Sequence, residues 1–196
     1  MNNHPNHIRE LVLRNRSTRR FSQDNPPTLA TLRELVDIAR QSPSAANLQP
    51  LRYVLSADPA RNAGIFRHLR WAGYLEHWPG PGPEEQPTAY ILLFADTRIS
   101  PKVDCDHGIA AQTICLAAAE IGLAACMVGS VDREALVDLL GLGTDFRLLL
   151  VIALGRPGEA IVLENASTVG HIRYWRDENG VHHVPKRPLD EVILEI

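Results

Sequence analysis

The sequence predicts an α+β domain, and three observations carry that expectation. Helical and strand-like segments are mixed along the chain. "TAYILLFAD" is a continuous apolar run of strand length, the pattern of a strand covered on both faces. Residues 104–122, "DCDHGIAAQTICLAAAEIG", carry small residues on every side of the helical wheel, as in a helix buried nearly all round. At 196 residues the chain is long enough for one sizeable core and short for two, so residues 1–196 are expected to form a single domain.

Local signals place each element. Residues 4–15 set Ile8, Leu11 and Val12 at helical spacing and predict a short amphipathic helix. "SQDNPPT" breaks it. Thr28 can then N-cap a second helix through Leu29, Leu32, Leu35, Val36 and Ala39. "SPSAANLQP" is loop by its Ser, Pro and Asn content, and "LRYVLSA" is a strand bounded by Pro50 and Asp58. "PARNAGIFRHLRWAGYLEHW", residues 59–78, reads as one polar helix. The four prolines of "PGPGPEEQP" exclude a regular element and predict a surface loop or lid. After the apolar strand and the small-residue helix come a short strand "LAACMVG", a helix "DREALVDLLG" capped by Asp132 and stopped by Gly141, and the strand "FRLLLVIALG". The tail, residues 165–196, is polar with scattered large apolar residues and is expected to wrap another surface, such as that of a second subunit.

Composition bounds the function. With 45% hydrophobic and 22% charged residues, the chain has no segment near the roughly 20 consecutive apolar residues that span a bilayer. "MNNHPNHIRE" lacks the basic start and apolar run of a secretory signal, so a cytoplasmic location is expected. Cys105, Cys115 and Cys126, odd in number and widely spaced, read as reduced, small core residues. A net charge of −3 opposes a general polyanion binder, and no nucleic-acid or membrane partner is expected. Yet residues 9–20 hold five arginines against Glu10 alone. That concentration suits a small anion met at one point.

Within it, "RNRSTRRF", residues 14–21, offers guanidinium forks and hydroxyls, which fit either a phosphate or a solvated arginine face. There is no G-x-x-x-x-G-K-[ST], and Gly141 and Gly143 precede a strand instead of opening a helix. Cys105 and His107 lack two further ligands at a sensible spacing, so no metal site is expected. His182 and His183 would face opposite sides of a strand. No G-x-S-x-G elbow occurs, and no cysteine sits in a basic setting. No catalytic side chain is nominated; an enzyme of this sequence would lean on a cofactor.

Five stretches in order, "RNRSTRRF", "SPSAANLQPLRYVL", "AAAEIGLAACMVG", "ALGRP" and "PKRPLDEV", together resemble the FMN-dependent nitroreductase family over nearly the whole chain. The resemblance implies a nitroreductase-like fold, with a central, mostly antiparallel sheet flanked by helices in an intertwined homodimer. Two FMN molecules would lie in the interface, and the tail would cross to the other subunit. It places Arg16, Ser17 and Arg19 at the FMN phosphate and polar chain, while Asn15 departs from the basic residue that many members carry there. Pro43, Ser44 and Ala45 would lie along the flavin of the partner's site. Asn47 would bond the ring edge or hold the loop, and Gln49 would hold the loop. Met127, Val128 and Gly129 would approach the flavin through backbone atoms, with Ala124 replacing a family glycine and Met127 the usual aromatic residue. Lys186 and Arg187 would reach the phosphate. Gln112 is expected to satisfy an internal polar group, and Trp71, Tyr74 and Trp78 to pack instead of forming a lid. The implied activity is an NAD(P)H-dependent, ping-pong oxidoreductase passing hydride through FMN to an acceptor such as a nitroaromatic or quinone. A flavin sensor or carrier, and a flavin-fragmenting or dehalogenating enzyme, are the alternatives.

Overall fold

A computed structural model describes residues 6–195; His4 and Pro5, where the first helix was expected to begin, lie outside them. In chain order the elements are α1 (His7–Arg14), β1 (Phe21–Ser22), α2 (Leu29–Ala39), β2 (Leu51–Ser56), α3 (Pro59–Phe66), β3 (Ala89–Asp96) and α4 (Asp106–Glu120). They continue with β4 (Ala124–Val128), α5 (Arg133–Leu139), β5 (Phe146–Pro157), β6 (Ile161–Asn165), α6 (Ala166–Val169), β7 (Trp175–Arg176) and β8 (His182–Lys186). Side-chain caps set several helix starts: the Thr28 hydroxyl accepts from the Thr31 amide, and Asp132 accepts from Ala135.

β3 and β5 form the middle of an antiparallel sheet in which β2 pairs β3, β3 pairs β5, and β5 also pairs β4 and β1. Every residue of β3 is buried, as its unbroken apolar run predicts. Alternation divides those residues between two cores. Ala89, Ile91 and Leu93 pack with Leu32 and Leu35 of α2 and Ile114 and Ala118 of α4, while Tyr90, Leu92 and Phe94 face Ile65 of α3 and Leu136 of α5. The sheet is therefore covered on both faces. β6, β8 and β7 build a second, smaller sheet, with β6 and β8 parallel and β7 and β8 antiparallel.

Three expectations change. The helix over residues 59–78 stops at Phe66, because Leu69 bridges Val131, the Arg70 amide donates to the Ser130 carbonyl and Ala72 adopts a φ of 41°. Helix α4 is buried on one side only. Cys105, Ile109 and Gln112, spaced by four and three residues, lie exposed along its outer face, so Gln112 satisfies no internal group and Cys105 is no core residue. The polar tail folds in part on its own chain, where pairing with β6 gives β8 its hydrogen bonds and His182 is fully buried.

Candidate cofactor site

The arginine-rich arm leaves α1 and runs beside the sheet. Arg16 folds back over the helix end, its Nε donating to the Asn15 carbonyl at 2.6 Å and its Nη2 to the Val12 carbonyl at 2.7 Å. These acceptors are carbonyls that a helix terminus leaves free. Ser17 bridges Ala125 of β4, the Thr18 amide donates to the Ala125 carbonyl at 3.1 Å, and β1 then pairs the end of β5. The arm is thus stitched to β4, two residues from the strand end it was predicted to share with a ligand.

Arg19 and that strand end meet. With Arg70, Trp71, Gly73, Met127, Val128 and Gly129, Arg19 lines a cavity of about 430 Å³. Its Nη1 donates to the Ser17 carbonyl at 3.2 Å and lies 3.0 Å from His182 Nε2, and its guanidinium lies over the Tyr174 ring. Burial, then the Arg19 charge, pull His182 down to about 4, so the ring is neutral near pH 7 and Nε2 accepts from Arg19. Among the described residues neither Arg16 nor Arg19 has a carboxylate side chain within 4 Å of its guanidinium, whereas Arg20 pairs with Glu85. Burial also lowers the Arg16 pKa. Partly desolvated cations without a carboxylate partner favour an anionic ligand. A Cβ built on Gly129 would meet nothing within 4 Å, so the backbone past β4 is open to a flat group. Guanidinium donors, a free hydroxyl on exposed Ser17 and an open strand end suit a planar, phosphorylated cofactor.

The "PSAANLQP" loop lies at the other end of α4. Pro43 and Ser44 line a second cavity of about 300 Å³ with Gln49, Tyr53 and Asp106, and residues Ala45–Asn47 form a short 3-10 turn. Buried Asp106 organises the loop: Ser44 Oγ donates to its Oδ2 at 2.5 Å and the Ala45 amide to its Oδ1 at 3.1 Å. Gln49 does hold the loop, its Nε2 donating to the Asn47 carbonyl and to Asn47 Oδ1, which leaves Asn47 as the acceptor within it. Sequence reasoning missed Asp106; its only sequence signal was an acid at the start of the small-residue helix. Lys186 ends β8 opposite Asn165, Arg187 pairs with Glu191, and neither lines the cavities that Arg16 and Arg19 line. Trp71, Tyr74 and Trp78 pack: Trp71 is buried, Tyr74 lies against Tyr174, and Trp78 sits under Arg176. Burial pushes the Cys115 and Cys126 thiols up to about 12 and about 11, which removes both as nucleophiles at neutral pH.

The Nitroreductase family model matches residues 12–78 and 81–156. An "NADH dehydrogenase" of Thermus thermophilus is 38% identical over 85 residues, 43% of this chain and 37% of that protein, so the match spans little more than a third of the relative's length. Among solved structures, a nitroreductase family protein from Streptococcus pneumoniae TIGR4 superposes with a TM-score of 0.69 at 19% identity, over 96% of this chain and all of that one. A protein from Exiguobacterium sibiricum 255-15, described as a nitroreductase and solved in complex with FMN, gives a TM-score of 0.64 at 14% identity, over 77% of this chain and 88% of that one. No helix among the described residues is long and apolar enough to cross a membrane.

Proposed function

The chain belongs to the nitroreductase family, and on that premise we propose that it is an FMN-dependent oxidoreductase that passes hydride from NAD(P)H to an oxidised acceptor such as a nitroaromatic or quinone. The observation that carries the reading is the cavity that Arg19 shares with Met127, Val128 and Gly129, beside an arm in which, among the described residues, neither Arg16 nor Arg19 has a carboxylate partner. Bound FMN supplies the two-electron chemistry, hydride in from NAD(P)H and hydride out to the acceptor. The residues around it bind and orient. Arg16 and Ser17 meet the phosphate and polar chain, Arg19 brings positive charge to a group that becomes more anionic on reduction, and the strand end offers backbone donors. No side chain here need carry a proton.

The site is built from two copies of the chain. Helix α4 separates its two predicted halves: the Asp106 end holds the 43–49 loop, and the Glu120 end pairs with Arg14 of the arm. Fifteen residues of helix rise about 21 Å. One chain cannot wrap both halves around one flavin ring, but a partner turned about a two-fold axis brings Pro43, Ser44, Ala45 and Asn47 to the first chain's Arg19. The exposed outer face of α4 supplies the seam. The tail supplies a strap: Leu189, Val192, Ile193 and Leu194 are exposed past β8, and β2 leaves one sheet edge unpaired beside an apolar groove. In this arrangement Lys186 and Arg187 reach the phosphate by way of the crossing tail.

Purified protein should be yellow, release FMN on denaturation, bleach with NADH or NADPH and recover with a quinone. Flavin that binds but is not reduced by either nicotinamide selects a carrier or sensor. Removing a bidentate arginine from an anion typically costs about 2 to 5 kcal/mol. Arg19→Ala should therefore lose most FMN while keeping its circular dichroism, and unchanged FMN affinity would reject the placement of Arg19.

A further inference from the structure

We propose that Glu159 is a positioning residue for Arg19, holding the arm in the shape that presents this guanidinium to the cofactor; the inference rests on the FMN reading above. Glu159 lies three residues beyond Arg156, where the family match ends, and opens the segment that leads into the small sheet. Its side chain is only 1% exposed. Oε1 accepts from two consecutive amides of the arm, Arg19 at 2.5 Å and Arg20 at 3.2 Å, and Oε2 accepts from Arg176 Nη2 at 2.8 Å.

A carboxylate is stable in such burial only when its donors are fixed. Here two of the three donors are main-chain atoms of the arm, so the carboxylate fixes the arm in return. Consecutive amides converging on one oxygen form an anion site in their own right. Glu159 fills that site from within the chain, which commits the backbone at residues 19 and 20 and leaves the Arg19 side chain as the donor available to the cavity. Tyr174, the residue before β7, lies under that guanidinium, and His182 of β8 meets one of its nitrogens through Nε2, so the side chain is held from the other side as well. Arg176 completes the link: it takes the second carboxylate oxygen and lies over Trp78, 4.6 Å from the ring centroid. The arm, the small sheet and residues 71–78 thus converge on one buried carboxylate. A purely structural ion pair would also weaken the fold when broken, but its loss would have no reason to depend on Arg19.

A double-mutant cycle separates the two roles. Glu159→Asp keeps the charge and withdraws the oxygens by one methylene, so the arm loses its partner while the field on an anionic ligand barely changes. FMN dissociation constants would be measured by fluorescence quenching for the parent, Glu159→Asp, Arg19→Ala and the double variant, with thermal melts on each. Loss of a hydrogen bond to a charged group predicts an FMN affinity about tenfold weaker for Glu159→Asp. In the Arg19→Ala background the same substitution should change FMN binding less than twofold. A full tenfold effect in that background overturns the positioning role, as does unaltered binding by Glu159→Asp. A parent that takes up no FMN overturns the function itself, and the inference with it. If Glu159→Asp does not fold, Glu159→Gln replaces it with the opposite expectation: its amide oxygen still accepts from the Arg19 and Arg20 amides, so FMN affinity should stay within about twofold of the parent, and a tenfold loss would overturn the positioning role.

Discussion

Asp106 shows how much one side chain can organise. The loop it closes holds three non-glycine residues at positive φ, Ala46 at 49°, Asn47 at 54° and Gln49 at 50°. Each such residue costs on the order of 1 kcal/mol or more. Two hydrogen bonds to a buried carboxylate, each worth about 1.5 to 3 kcal/mol, offset that strain. Asp106→Ala should therefore release residues 44–49, read as faster hydrogen exchange at the Ala45 and Gln49 amides and weaker FMN binding, with the sheet still protected. Unchanged exchange at those amides would show that the loop holds its shape without Asp106. Neighbouring histidines of β8 pull stability in opposite directions. His182 is held down to about 4 by burial and by Arg19, so the unfolded chain takes up its proton first and stability falls as pH drops from about 6.5 toward 4. His183 is opposed by burial but carried above its ordinary value by Glu164 and Asp177, so its contribution is full below about 6.5 and is lost as pH rises through the raised value. The thermal midpoint should peak between the two limits. His183→Gln should flatten the alkaline limb and leave the acid limb, and a parallel loss of both limbs would contradict these assignments.

At the scale of elements, the legible parts were those whose signals are local. The Thr28 and Asp132 caps, the apolar run of β3 and the turn at Gly141 all act within a few residues, and each element stands where it was read. The stop of α3 at Phe66 was not legible, because helical periodicity continues past it while the Leu69 bridge to Val131 spans 62 residues of chain. The small sheet escaped for the same reason: β6 and β8 pair in parallel, and nothing near His182 announces Ile161 as its partner. In the site, the arm and the strand end were found by their motifs, whereas Asp106 and Glu159 carry no local pattern and act across 60 residues or more. The junction of arm and β5 can be tested through Gly158. Its amide donates to the Arg20 carbonyl, and a Cβ there would lie 2.8 Å from the Phe21 carbonyl carbon and 3.0 Å from the Arg20 oxygen. Those neighbours are backbone and cannot turn aside. Gly158→Ala should cost about 1 to 3 kcal/mol in urea unfolding and loosen FMN by displacing Arg19 and Arg20. A stable variant with unaltered FMN affinity would show that the arm tolerates the shift.

For the whole molecule, the question is what covers the surfaces that the single chain leaves bare. Helix α4 exposes Ile109 between Cys105 and Gln112, the tail exposes four large apolar residues after β8, and the two halves of the proposed site sit at opposite ends of one helix. The proposed two-fold partner would answer all three with one interface, in which the α4 faces would meet, the tails would cross and each 43–49 loop would be delivered to the other arm. A charge on the seam separates this arrangement from a self-sufficient monomer. Ile109 is exposed in the isolated chain, so Ile109→Glu has no cost in a monomer, while at the centre of a dimer it buries two unpaired carboxylates at several kcal/mol. Sedimentation of Ile109→Glu should show a species of half the parent's mass with unchanged circular dichroism. That species should lose FMN although every residue of its own arm is intact, because the loop it needs belongs to the absent partner. If instead it sediments as the parent does, the seam is not on α4; if it is monomeric and retains FMN, one chain suffices for the site.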